Sequence, residues 1–132
     1  MRILALDIGD KRIGIAFSDD RSNIATPLTT IQNDLSLKDR IFEIIERLEV
    51  DLAVIGLPLM LNGKEGQQAK KVRDLIKKMD LERNVKTVFF DERFTTKIGE
   101  SNIKGMKKKN MSDVLSATVL LNDYIKKENN EK

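Results

Sequence analysis

Two short, mainly apolar runs lie near the start of the chain, 2–8 and 13–18, separated by the polar turn "GDKR". Two such runs joined by a glycine-containing turn predict a β-hairpin. A weaker strand is expected around "ATPLTTIQ". The pattern then changes period: in "SLKDRIFEIIERLE", Leu37, Ile41, Ile44, Ile45 and Leu48 recur at helical spacing, with Ser36 and Asp39 set as a capping box. "DLAVIGLPL" reads as a buried strand leaving at Gly56 and Pro58, and "LNGKEG" as a turn. Ala69, Val72, Ile76 and Met79 mark one face of a second helix. "VKTVFF", 85–90, is another buried strand, and "SDVLSATVLLNDYIKK" carries Val114, Thr118, Leu121 and Ile125 along a helical stripe.

Short apolar strands between amphipathic helices require a parallel portion of sheet covered by helices. The expected fold is therefore α/β: a mixed five-stranded sheet, an antiparallel hairpin followed by parallel strands, with helices on both faces. At 132 residues the chain is expected to form one domain, 1–132, with a frayed tail at 128–132. No apolar stretch approaches the roughly 20 residues of a membrane span, and Asp7 interrupts the first apolar run too early for a secretory signal. A cytoplasmic location, no membrane partner, and a monomer or weak homodimer are expected.

One residue of the first strand is out of place. Asp7 stands inside an apolar run, where an unpaired carboxylate is costly. A turn aspartate bonded to nearby amides is the usual explanation for an acid near a strand end, but Ile8 follows it within the strand. Asp91, Glu92 and Arg93 end the strand 85–90; the acids can pair with Arg93, and Thr95 or Thr96 can serve as the N-cap of a helix beyond them. Asp113 after Ser112 is placed to sit in the first turn of the last helix, where the dipole favours negative charge.

Composition narrows the chemistry. Cysteine and histidine are both absent, which removes thiol nucleophiles, imidazole bases and nearly all zinc sites. Carboxylates gathered at one sheet edge repel each other unless a divalent cation neutralises them, and all-oxygen donors suit magnesium or manganese. A two-metal carboxylate site hydrolyses phosphodiesters without histidine. Net charge is only +3, but Arg93, Lys97, Lys104, Lys107, Lys108 and Lys109 follow one another against a single acid, Glu100. Together with Lys11 and Arg12 such a run suits a phosphate backbone, although a solvated loop has the same composition. Gly9, Gly56 and Pro58 fall where a backbone can approach phosphate closely.

Four motifs in order, "LDIGDKRIGIAFSD" at 6–19, "GLPLMLNG" at 56–63, "DERFTT" at 91–96 and "SDVLSATVLL" at 112–121, resemble the YqgF (RuvX) family over essentially the whole chain. Its members are described as pre-16S rRNA nucleases and as Holliday-junction-resolvase-like proteins. The resemblance implies an RNase H-like fold and a metal-dependent endonuclease using Mg2+ (or Mn2+), acting in ribosome biogenesis on the 5′ end of pre-16S rRNA. It makes Asp7 the first-strand acid, Glu92 the second and Asp113 the helix acid, catalytic and metal-binding alike, with Asp91 a substitute for or neighbour of Glu92. Asp10 stands where the family commonly has a small hydroxyl residue, and could bind metal or weaken substrate approach. The stretch from "DERFTT" to Asp113 is shorter than usual in the family, with Gly99 and Gly105 set to loosen any helix there. Other readings are a Holliday junction resolvase acting on branched DNA in recombination and repair, and a non-catalytic RNA-binding ribosome assembly factor. A sugar-kinase or actin-type phosphate loop also reads Asp-x-Gly after a strand, but those proteins close two related domains over ATP.

Overall fold

In the computed structural model of the chain, the described residues are 1–19, 21, 23–91 and 109–130. They form β1 (Ile3–Ile8), β2 (Arg12–Ser18), β3 (Thr26–Gln32), α1 (Leu37–Arg47), β4 (Leu52–Leu57), α2 (Gln67–Met79), the single turn α3 (Leu81–Asn84), β5 (Lys86–Asp91) and α4 (Lys109–Asn130). The five strands make one sheet in the order β3-β2-β1-β4-β5. β1 and β2 are the predicted hairpin, closed by the Gly9 amide donating to the Arg12 carbonyl at 2.9 Å. β3 adds antiparallel to β2 with a register shift at Ile15 and Ala16, whereas β1, β4 and β5 are parallel. Pro27 is tolerated in β3 because that strand lies at the sheet edge, where a missing N–H breaks no ladder bond.

Strand alternation divides the core into two layers. Leu4, Leu6, Ile13, Ile15, Ile55 and Leu57 pack against α1 and α2, whose Ile41, Ile44, Val72 and Ile76 face them. Ala5, Ala16, Leu52 and Val54 point the other way, onto Ala117, Leu120, Leu121 and Ile125 of α4. The second layer is built from smaller side chains at its centre: Ala5 and Ala16 are register partners on β1 and β2. With only a methyl group at each position, α4 can lie close to the sheet.

Several local expectations need correction. Ser36 does not cap α1 with its side chain; it is already in a helical conformation, and its hydroxyl donates to Asp34 Oδ1 at 2.6 Å while its amide donates to the same oxygen at 2.9 Å. These bonds to the charged form hold the Asp34 carboxyl below its ordinary value. The last helix begins at Lys109, so Asp113 is not in its first turn and the dipole explanation for this acid fails. The same helix continues to Asn130, through part of the expected frayed tail, with helix-forming Lys and Glu and with Lys127 complementing the dipole in its last turn. Its fully buried stripe is Ala117, Leu120 and Leu121, and Val114 and Thr118 lie only half-buried beside it. Among the described residues no helix is long and apolar enough to cross a membrane.

Candidate active site

Asp7 is positioned by the alternation of its own strand. Leu4 and Leu6 belong to the layer under α1 and α2, and Ala5 to the layer under α4, so Asp7 lies on the α4 face. Its register partner on β2 is Gly14. On the other side β4 runs parallel with Ile55 opposite Leu6, which brings Gly56 alongside Asp7. The acid is thus flanked by a glycine on each neighbouring strand, and neither position carries a side chain that could crowd it.

Gly14 also seats the last helix. A Cβ at Gly14 would collide with the main-chain carbonyl of Asp113 and come within 3.0 Å of the Val114 amide nitrogen. The backbone of α4 therefore lies directly on β2 at the level of Asp7. Two residues earlier on the same strand face, Arg12 donates from Nε to Asp113 Oδ2 at 3.0 Å. Both side chains are about one quarter exposed, 24% and 27%, so the pair is neither a solvated surface contact nor sealed from solvent. Arg12 and Asp113 meet although they are 101 residues apart, and Gly14, on which the Asp113 backbone is seated, is the register partner of Asp7.

Oxygen donors on two separate elements, on one sheet face and beside two glycines, fit a hard divalent cation such as Mg2+ or Mn2+. Among the described residues no group of three or more acidic side chains is close enough to hold a metal. Glu92, Arg93, Thr95, Thr96, Lys107 and Lys108 lie outside the described residues, and Lys109 enters only as helix backbone.

The remaining predicted residues separate from this pair. Asp91 is the register partner of Leu57, which packs under α1 and α2, so Asp91 belongs to the face opposite Asp7. Asp10, at the hairpin tip, is turned the same way: its carboxylate lies 3.9 Å from Lys71 Nζ of α2. It borders a small cavity of about 210 Å³ with Ile8, Gln68 and Lys71. Lys11 is exposed, and its carbonyl accepts a bond from the Asn33 amide at 2.9 Å. Arg12, expected to hold a phosphate backbone, donates to Asp113. Pro58 leaves β4 for a tight loop in which the Met60 amide donates to the Lys64 carbonyl, and Gly63 takes the positive φ of 85° that the turn requires.

Two contributors were not singled out from sequence. Gly14 carries a recognisable signal, because a glycine inside a strand pattern marks close approach of another backbone. Asn33, whose side-chain amide donates to the Gly9 carbonyl at 2.9 Å, pins the hairpin tip and has no such signal.

The model of the family described as "RuvX: Holliday junction resolvase" matches residues 1–127. The chain belongs to the RuvX family. Its relatives include a protein of Sulfurihydrogenibium sp. named "Putative pre-16S rRNA nuclease", 41% identical over 94% of this chain and 89% of that protein. A protein of the same name from Thermoanaerobacter pseudethanolicus is 37% identical over 99% of this chain and its whole length. Among solved structures, Thermus thermophilus RuvC in complex with a Holliday junction superimposes with a TM-score of 0.63 at 12% identity, covering 98% of this chain and 96% of RuvC. The Fowlpox virus resolvase bound to its junction superimposes with a TM-score of 0.60 at 17% identity, covering 97% and 99%. At such identities the likeness is one of fold: this RuvX chain has the RNase H-like fold that the sequence motifs imply.

Proposed function

We propose that the protein is a metal-dependent endonuclease that hydrolyses phosphodiester bonds in structured nucleic acid, and that its substrate is the 5′ end of pre-16S rRNA. The single observation that carries this reading is that Asp7 is the register partner of Gly14, the residue on which the backbone of Asp113 is seated. Glu92, by the family resemblance, would complete the ligand set.

A pair of magnesium ions at such a site would supply an activated water and charge stabilisation for the leaving oxygen. The chain's own contributions are positional. Asp7 is held rigid by bonded strands on both sides, and Asp113 by the seat of α4 on β2. Lys11, Arg93 and the lysines 107–109 would hold the substrate backbone, giving affinity that is sensitive to salt and indifferent to sequence. The reading is that of a cytoplasmic enzyme acting during ribosome maturation.

The test is cleavage of a precursor 16S 5′ fragment, beside a four-way DNA junction, with and without magnesium, by the wild-type protein and Asp7→Asn. Magnesium-dependent cleavage of the RNA that Asp7→Asn abolishes while its circular dichroism is unchanged supports the proposal, and undiminished cleavage by the variant sinks it. The name of the matched family favours a second reading, junction resolution, and cleavage of the junction alone would establish it. Tight binding of precursor RNA with no cleavage in magnesium or in manganese would favour a non-catalytic assembly factor.

A further inference from the structure

The Arg12–Asp113 contact has a geometry that a simple surface ion pair lacks. Arg12, Gly14 and Ala16 alternate on one face of β2, so the guanidinium and the glycine seat engage the same turn of α4. The seat fixes the main chain of Asp113 and the Nε bond to Oδ2 fixes its side chain. Two points of attachment define both the place and the rotamer of one carboxylate. The bond uses one carboxylate oxygen, and a carboxylate has lone-pair sites enough to serve a guanidinium and a cation together.

We propose that Arg12 is a positioning residue: it holds Oδ2 of Asp113 so that Oδ1 is set beside Asp7 to receive a divalent cation. This rests on the metal-dependent reading above and assigns Arg12 within it, in place of the phosphate contact that its position in "GDKR" predicts. Outer partners of this kind orient carboxylate ligands, and their loss typically weakens metal binding ten- to a hundredfold. The positive charge of Arg12 by itself opposes a second cation. The two effects have opposite signs, which makes the assignment testable: a competitor for Asp113 would tighten metal binding when removed, and a positioning group would weaken it.

The experiment is direct titration of the full chain with Mn2+, following free Mn2+ by electron paramagnetic resonance, for wild type, Arg12→Gln, Arg12→Lys and Asp113→Asn. Arg12→Gln is expected to weaken Mn2+ binding by about tenfold or more, with its far-UV circular dichroism unchanged. Cleavage by this variant is expected to recover toward the wild-type rate at saturating Mn2+, which a defect in substrate contact or in folding would not do. Arg12→Lys keeps the charge but loses the planar donor and is expected to remain weakened; it carries the same test if Arg12→Gln does not fold. Unchanged or tighter binding by both Arg12 variants, with binding lost in Asp113→Asn, would overturn the assignment while leaving the metal site standing. A wild-type chain that binds no Mn2+ would overturn the metal reading and this one with it.

Discussion

The main-chain carbonyl of Asp113 occupies the place that a side chain on Gly14 would take. Neither the strand nor the helix backbone can yield there without losing ladder bonds or helix bonds. Gly14→Ala is therefore expected to cost about 1–3 kcal/mol, the usual range for overpacking, read from urea denaturation. Because the displaced element carries Asp113, cleavage should fall further than stability does.

The small residues beneath α4 make a related prediction in the same layer. Ala5 and Ala16 are fully buried partners, and enlarging either pushes on the helix rather than on solvent. Ala5→Leu is expected to destabilise the protein by about 1–3 kcal/mol and to impair cleavage. Ile55→Val, equally buried but in the opposite layer, should cost about 0.5–1.5 kcal/mol with cleavage retained at temperatures where it is folded.

Asp123 on α4 is a titrating liability. Burial pushes its carboxyl above the ordinary value, partly offset by the nearby Lys126. A carboxyl raised in the native state has no effect on stability while both states are protonated, and subtracts from it as pH rises through the native value. Asp123→Asn is expected to raise the melting temperature at pH 7 by about 1–2 °C, a modest gain on the scale of a domain this size. At pH 3 the two proteins should melt together. A gain of equal size at both pH values would assign the effect to something other than charge.

Glu65 and Arg73 tie the loop after β4 to α2. The pair is bidentate, with Arg73 Nε and Nη2 donating at 2.6 and 2.9 Å, and the guanidinium lies 4.5 Å from the centre of the Phe89 ring. The Arg73 bond holds the Glu65 carboxyl below its ordinary value, so this tie persists above the ordinary carboxylate range and is lost as pH falls through the lowered native value. Arg73→Lys keeps the charge but not the fork. Faster hydrogen exchange at the Met60 and Gly63 amides is expected, with little change in global melting because the pair is exposed.

Much of the fold was legible because its elements declare themselves locally. Ile41, Ile44, Val72 and Ile76 announce two amphipathic helices, and the runs at 2–8, 13–18, 51–57 and 85–90 are apolar enough to read as strands, within a residue of the observed bounds. What failed was local competition and long-range closure. Ser36 looks like a cap until Asp34, two residues earlier, offers its amide and hydroxyl a nearer acceptor. Ser112–Asp113 looks like a helix start because its residue types favour one, while the helix in fact begins a turn upstream. Asp10 stands three residues from Asp7 in sequence, yet the hairpin tip turns it toward Lys71. No spacing rule relates Asp7 to Asp113; only the four ordered motifs suggested it, and the glycine in "RIGIAF" was the one local sign that something lay across the strand.

The path of α4 has a consequence for the order of events in a growing chain. Until residues 109–130 are made and docked, one side of the sheet exposes Ala5, Ala16, Leu52 and Val54 to water, and Asp113 has yet to arrive beside Asp7. Closing that gap requires joining segments a hundred residues apart, the slowest kind of contact to form. The same late event covers the last apolar face and assembles the acids, so a half-built chain is sticky before it is competent. Completion of the proposed site and completion of the fold are one step.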